Sequence, residues 1–199
     1  LRSLWVESIF VTLILASASP RRQELLRNAG IPFLVQASNI DESPLGGESA
    51  TDCARRLARQ KALVGAKDHG EDFVLGADTI VVVDDRMLGK PSDEADSARM
   101  LRLLSGRTHK VITGVCVVGP AASGKILAGS ESTTVTMANL TESEIREYSI
   151  SGEPRDKAGG YAIQGMASRW IQRIEGDYCN VMGLPVALVY RMLREMGAM

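Results

Sequence analysis

The chain has 199 residues, 45% hydrophobic and 24% charged, a composition and length that suit one well-buried globular domain, if need be with two lobes. A formal net charge of -1 provides no global basic field, so any anion site must be local, and a nucleic-acid polymer is not expected as a partner. Cys53, Cys116 and Cys179 fit neither a disulfide framework nor zinc-ligand spacing and point to a reducing cytoplasm. His69 and His109 are the only histidines, which leaves chemistry to carboxylates, lysines and arginines.

Residues 1–12 read as an N-terminal extension or expression remnant, and 13–199 as a single domain. The apolar run 9–18 is broken by Thr12 and falls short of the roughly 20 residues of a membrane span. With only Arg2 before it and Glu7 nearby, it suits a buried strand better than a signal peptide, and no membrane partner is expected. The run leads into Ser17-Ala18-Ser19-Pro20-Arg21-Arg22 and an amphipathic segment at 23–28. Ser19 suits an N-cap and Pro20 the first helical position, so a strand delivers a helix N-terminus. The helix start, the hydroxyls of Ser17 and Ser19 and the guanidiniums of Arg21 and Arg22 would converge on one anion, as for a phosphate. The plainer alternative is a capped helix with solvated arginines.

Gly30 and Pro32 end that helix, a second strand follows at 33–37, and Asp41 and Glu42 fall in a loop. Ser49-Ala50-Thr51-Asp52 has the pattern of a capping box and opens a helix to about residue 67. On it Lys61 lies in the apolar stripe of Cys53, Leu57 and Val64, and its ammonium either snorkels to water or meets a buried anion. Residues 73–83 read as a strand interrupted by Gly76-Ala77-Asp78-Thr79 and closed by a turn at Asp84-Asp85-Arg86. A carboxylate there must sit at a strand opening, face a metal or pair with a cation, which makes Asp78 the best candidate for chemistry.

Gly89-Lys90-Pro91 links this strand to a helix that starts at Ser92 or Asp93 and ends at Leu104, with Leu101 and Leu104 on its apolar side. Strands at 111–118 and 126–137 form a hairpin, and Thr141-Glu142-Ser143-Glu144 is a capping box whose helix ends at Gly152 before Pro154. The segment from Asp156 to Gly165 combines glycines with Lys157, Tyr161 and Gln164, as in a binding loop on a rigid scaffold. A strand at 170–174 and a last helix from Pro185 complete the chain, without repeats or linkers.

The Ser-Ala-Ser-Pro-Arg-Arg start, Gly76-Ala77-Asp78-Thr79, Gly89-Lys90-Pro91 and the segment from Ser151-Gly152-Glu153-Pro154 to Gly165, in this order, resemble the Maf family of nucleotide pyrophosphatases across about 13–192. The resemblance implies an α/β fold with a mixed twisted sheet flanked by helices and two lobes around a central cleft, similar to inosine triphosphate pyrophosphatases. It implies metal-dependent hydrolysis of a nucleoside triphosphate to monophosphate and pyrophosphate, with Mg²⁺ or Mn²⁺ as cofactor. It further implies a cytoplasmic homodimer and the family's older label of septum-formation inhibitor.

The positions that match the family pattern are Ser17, Arg21, Arg22, Glu42, Lys61, Asp78, Thr79, Lys90 and Gln164. The roles expected from the resemblance follow the chemistry of α–β phosphate cleavage. Asp78 acts as general base and touches the metal, Glu42 binds the metal or positions water, and Ser17, Arg21, Arg22, Lys61 and Lys90 hold the phosphates. Arg21, Thr79 and Gln164 set the base. A side-chain amide matches the N3–H and carbonyl edge of thymine or uracil, so Gln164 favours the dTTP and UTP branch over the 7-methyl-GTP branch, unless it only satisfies loop backbone. Rival readings are a nucleotide sensor of cell division without turnover and a nucleic-acid binder, the latter at odds with the charge balance.

Overall fold

Short apolar runs alternate with capped amphipathic segments, and the computed structural model, which describes residues 12–199, builds them into a mixed α/β fold. The expected N-terminal extension, apart from Thr12, lies outside the described residues. The elements are β1 (Leu13–Leu15), α1 (Pro20–Asn28), β2 (Leu34–Val35), α2 (Ala50–Ala66), β3 (Phe73–Val83), β4 (Arg86–Leu88), α3 (Glu94–Leu104), β5 (Thr108–Val118), β6 (Ile126–Met137), α4 (Glu142–Ile150), β7 (Ile171–Glu175), α5 (Tyr178–Met182) and α6 (Val186–Met196). The sheet runs β2-β1-β3-β5-β6-β7, with β4 also on β3. Its first three strands are parallel and the remaining pairs antiparallel. No helix among the described residues is long and apolar enough to cross a membrane.

Strand alternation divides the core. Val74 and Ile80 of β3 face α2, together with Cys116 and Ile112 of β5. On the opposite face, Leu75 and Ala77 join Leu25 and Leu26 of α1 and Leu193 of α6, whereas Val81 and Val83 join Leu101 of α3 and Tyr148 of α4. Between these two apolar clusters lie the paired positions Thr79 and Thr113, so one strand serves both lobes.

The approach of α2 to the sheet depends on small residues. Ala54, Ala58 and Ala62 form a fully buried stripe at i, i+4 spacing, facing Gly76 and Gly114. A Cβ on Gly76 would lie 2.1 Å from the Ala58 carbonyl oxygen, and one on Gly114 2.2 Å from that of Ala54. No side chain fits between helix and strand at either point.

Several elements differ from the sequence reading. β3 is continuous: Gly76 and Asp78 pair in register with Cys116 and Gly114, so Gly76 marks contact with α2 and no break. The opening lies beside the strand instead. On one edge β1 pairs with residues 73–75 and β4 with 81–83, and residues 76–80 have no strand partner on that edge among the described residues. β4 is additional, formed because Asp84 and Asp85 adopt φ of 47° and 60° and close a two-residue hairpin. α5 is also additional; Asp177 caps its N-terminus and Gly183, at φ 112°, ends it. β2 is shortened to two residues, and β7 starts at Ile171 because Met166–Trp170 is a 3₁₀ turn.

Candidate active site

The floor of the site follows from the contact between α2 and β3. Asp78 projects from β3 toward α2, where the Cys53, Leu57, Lys61 stripe meets it. Lys61 Nζ lies 2.6 Å from Asp78 Oδ1 and 2.6 Å from Glu42 Oε1. Its side chain is 8% exposed, which excludes snorkelling: the ammonium is held inside by two acids. Lys90 adds a looser contact, with Nζ 3.6 Å from Glu42 Oε2. Burial alone would raise the Glu42 pKa, but the hydrogen bond and charge of Lys61, with Lys90 and Arg22 behind them, hold it below the ordinary value.

The second wall is the β1-to-α1 connection. Ser19 occupies the N-cap position, yet its side chain makes no capping bond; its N–H donates instead to Ser17 Oγ at 3.2 Å. Ser17 Oγ also accepts from Arg22 Nη1 at 3.1 Å. Arg22 turns inward between the lobes, donating from Nε to the Gly183 carbonyl at 2.8 Å and from Nη2 to Thr79 Oγ1 at 3.1 Å. Thr79 Oγ1 lies 3.0 Å from Thr113 Oγ1. Arg22 is thus buried, not a solvated helix arginine, and burial lowers its pKa against the opposing charge of Asp78.

The rim is made by the loop after α4. Arg21 leaves α1 on the open side and clasps this loop, donating to Asp156 Oδ2 and to the Asp156 carbonyl, both at 3.2 Å. Lys157 Nζ donates to Asp156 Oδ1 at 2.6 Å and to the Glu153 carbonyl at 2.8 Å. Burial raises the Asp156 pKa, but Lys157 and Arg21 outweigh it and hold the acid below its ordinary value. Gln164 is exposed on the same loop, and its side chain bonds to none of the described residues, so it does not satisfy loop backbone.

Ser17, Arg21, Arg22, Glu42, Lys61, Asp78, Thr79, Lys90 and Gln164 all line one cleft of about 500 Å³. Asp156, Lys157 and Tyr161 line it as well, and sequence reasoning assigned them no role beyond membership of a binding loop. Their signal was the composition of that loop; the pairing of Asp156 with Arg21 spans 135 residues and has no local signature. Among the described residues no group of three or more His, Cys, Asp or Glu gathers as a ready cation site. Glu42 and Asp78, however, both bring a hard carboxylate oxygen to Lys61, a donor pair suited to an ion that keeps waters and takes further oxygens from a phosphate ligand.

A family model described as Maf-like protein matches residues 12–196. A protein of Koribacter versatilis (strain Ellin345) named dTTP/UTP pyrophosphatase is 54% identical over 187 residues, 94% of this chain and 95% of its own length. One of Bacillus mycoides (strain KBAB4) with the same name is 49% identical over 183 residues, covering 92% and 94%. Among solved structures, a HAM1 protein from Coxiella burnetii superposes with a TM-score of 0.52 at 19% identity, covering 93% of this chain and 99% of that one. That likeness is one of fold, and it agrees with the mixed α/β fold that the resemblance implied.

Proposed function

The chain belongs to the Maf-like protein family, and we propose that it hydrolyses dTTP and UTP to the nucleoside monophosphate and pyrophosphate. The observation that carries this reading is the cleft floor, where Asp78 and Glu42 meet the buried Lys61 beneath a wall of further cations. The names of the relatives at about half identity support the substrate class.

In this reading Asp78 accepts a proton from the water that attacks the α-phosphorus, and the bond to the bridging oxygen breaks as pyrophosphate departs. Lys61 holds the Asp78 oxygen that faces it and leaves the other for the water. Arg22 has N–H donors to spare beyond those given to Ser17, Thr79 and Gly183, and with Arg21, Lys90, Ser17 and the first turn of α1 it neutralises phosphate oxygens. Glu42 and Asp78 would hold a divalent cation, Mg²⁺ or Mn²⁺, which when bound supplies charge neutralisation at the phosphates. Gln164 reads the pyrimidine edge. Thr79 acts through the guanidinium it orients, since its hydroxyl is already engaged with Arg22 and Thr113.

The test is a screen of nucleoside triphosphates, 7-methyl-GTP included, that scores monophosphate and pyrophosphate with Mg²⁺, with Mn²⁺ and with chelator. Pyrophosphate release fastest from dTTP and UTP and lost with chelator is expected. Tight binding without product would assign the chain to a sensor. Cytoplasmic residence and a homodimer belong to the same reading, and sedimentation at micromolar concentration checks the latter.

A further inference from the structure

Among the described residues none bonds to the Gln164 side chain to aim it, so its direction is set by the backbone on either side. Both flanks are tied to one pair of residues outside the cleft lining. Two residues earlier, Ala162 donates its N–H to Tyr148 Oη at 3.0 Å; two residues later, Met166 donates its N–H to Glu153 Oε2 at 3.2 Å. Tyr148 closes the circuit by donating its O–H to Glu153 Oε1 at 2.8 Å.

This pair is itself anchored. Tyr148 is fully buried on α4 and meets Trp170 edge to face at 5.3 Å, and Trp170 Nε1 donates to Glu144 Oε1 at 3.1 Å. Glu144 is the acid of the capping box that starts α4. Burial, followed by the bond to Glu153, pushes the Tyr148 pKa up, which keeps the hydroxyl a donor. Gly165 fits the same device: at φ 133° it lets the Glu153 carboxyl pass where a Cβ would lie 2.6 Å from Oε1. The motif Ser151-Gly152-Glu153-Pro154 thereby acquires a physical task that its sequence alone does not disclose.

We propose that Tyr148 and Glu153 are positioning residues that fix where Gln164 presents its amide, and so set base selection from behind the loop. This rests on the reading of Gln164 as the group that recognises the pyrimidine edge. The experiment compares kcat and KM for dTTP and for its N3-methyl analogue, which lacks the N3–H, in the wild type, Gln164→Ala, Tyr148→Phe and Glu153→Gln. Gln164→Ala should cut the preference for dTTP about tenfold, the scale of one lost hydrogen bond in a closed site. Tyr148→Phe and Glu153→Gln should each cut it about three- to tenfold through KM for dTTP, with kcat within about twofold and KM for the analogue unchanged. A purely structural role would shift both nucleotides alike, and that result, or an unchanged preference in both variants while Gln164→Ala loses it, overturns the positioning role. An unchanged preference in Gln164→Ala overturns the base-reading role itself, and the positioning proposal falls with it.

Discussion

The floor and the rim of the cleft both pair acids with bases, yet they are built to opposite standards. At the floor, Lys61 and Asp78 project from a helix and a strand pressed together through Gly76 and Gly114, and both are buried. At the rim, Arg21, Asp156 and Lys157 meet between a helix start and a loop, with the Asp156 side chain 57% exposed. Breaking a buried pair costs about 3–5 kcal/mol because a charge is left without a partner, whereas an exposed pair is worth about 0–1 kcal/mol. The floor therefore holds its geometry before substrate arrives, and the rim can exchange an internal partner for a phosphate.

Changes at the floor should give the largest effects. Asp78→Asn is expected to lower kcat about 10³-fold, within the range for loss of a general base. It should leave the fold intact, since Glu42 still pairs with Lys61 at 2.6 Å. Pyrophosphate release by the purified variant checks this, and activity within about tenfold of the wild type would remove Asp78 from the base role. Gly76→Ala should cost about 3 kcal/mol or more in urea unfolding, at the upper end for overpacking, because the new methyl meets backbone. A milder loss would mean that α2 can move away without harm to the floor.

What the sequence disclosed follows the same division. Lys61 in an apolar stripe and Asp78 in an apolar strand stand out because each is expensive to bury alone, and the cost is visible from composition and period. The capping patterns before α2 and α4 were equally local, and both caps form. The supposed break at Gly76 failed for a non-local reason, the carbonyl of Ala58. The turn at Asp84 and Asp85 was legible, but the three residues of β4 beyond it and the five of α5 are too few to show a period. At the rim, the loop was recognisable by composition, but the residue that clasps it lies in α1, far away in sequence.

Acid should expose an intermediate case, since His109 lies under the rim loop with Nε2 2.7 Å from Tyr161 Oη. Burial pulls its pKa down from 6.5 to about 4, and Nδ1 has no hydrogen-bond partner among the described residues. The unfolded chain therefore binds the extra proton first as pH falls. Stability is complete above about pH 6.5 and declines toward pH 4, by about 3 kcal/mol for this group. Unfolding in urea at pH 7 and pH 4.5 should show a smaller difference for His109→Gln than for the wild type; equal differences would exclude the histidine as the source.

The smallest effect is expected at the clasp. Asp156→Ala removes the acid that holds both Arg21 and Lys157. Stability should change by less than about 1 kcal/mol, because the acid itself is more than half exposed and both cations keep backbone carbonyl partners. Binding should change more than stability: the substitution adds one unit of net positive charge at the mouth of the cleft and leaves Arg21 and Lys157 with only backbone carbonyls as partners, their charges no longer offset by the acid. KM for dTTP should fall about two- to fivefold at low salt with kcat unchanged, and the gain should shrink as ionic strength rises and screens the mouth. A rise in KM would reverse the comparison, since the rim would then need its own ion pair to stay in shape, as the floor does.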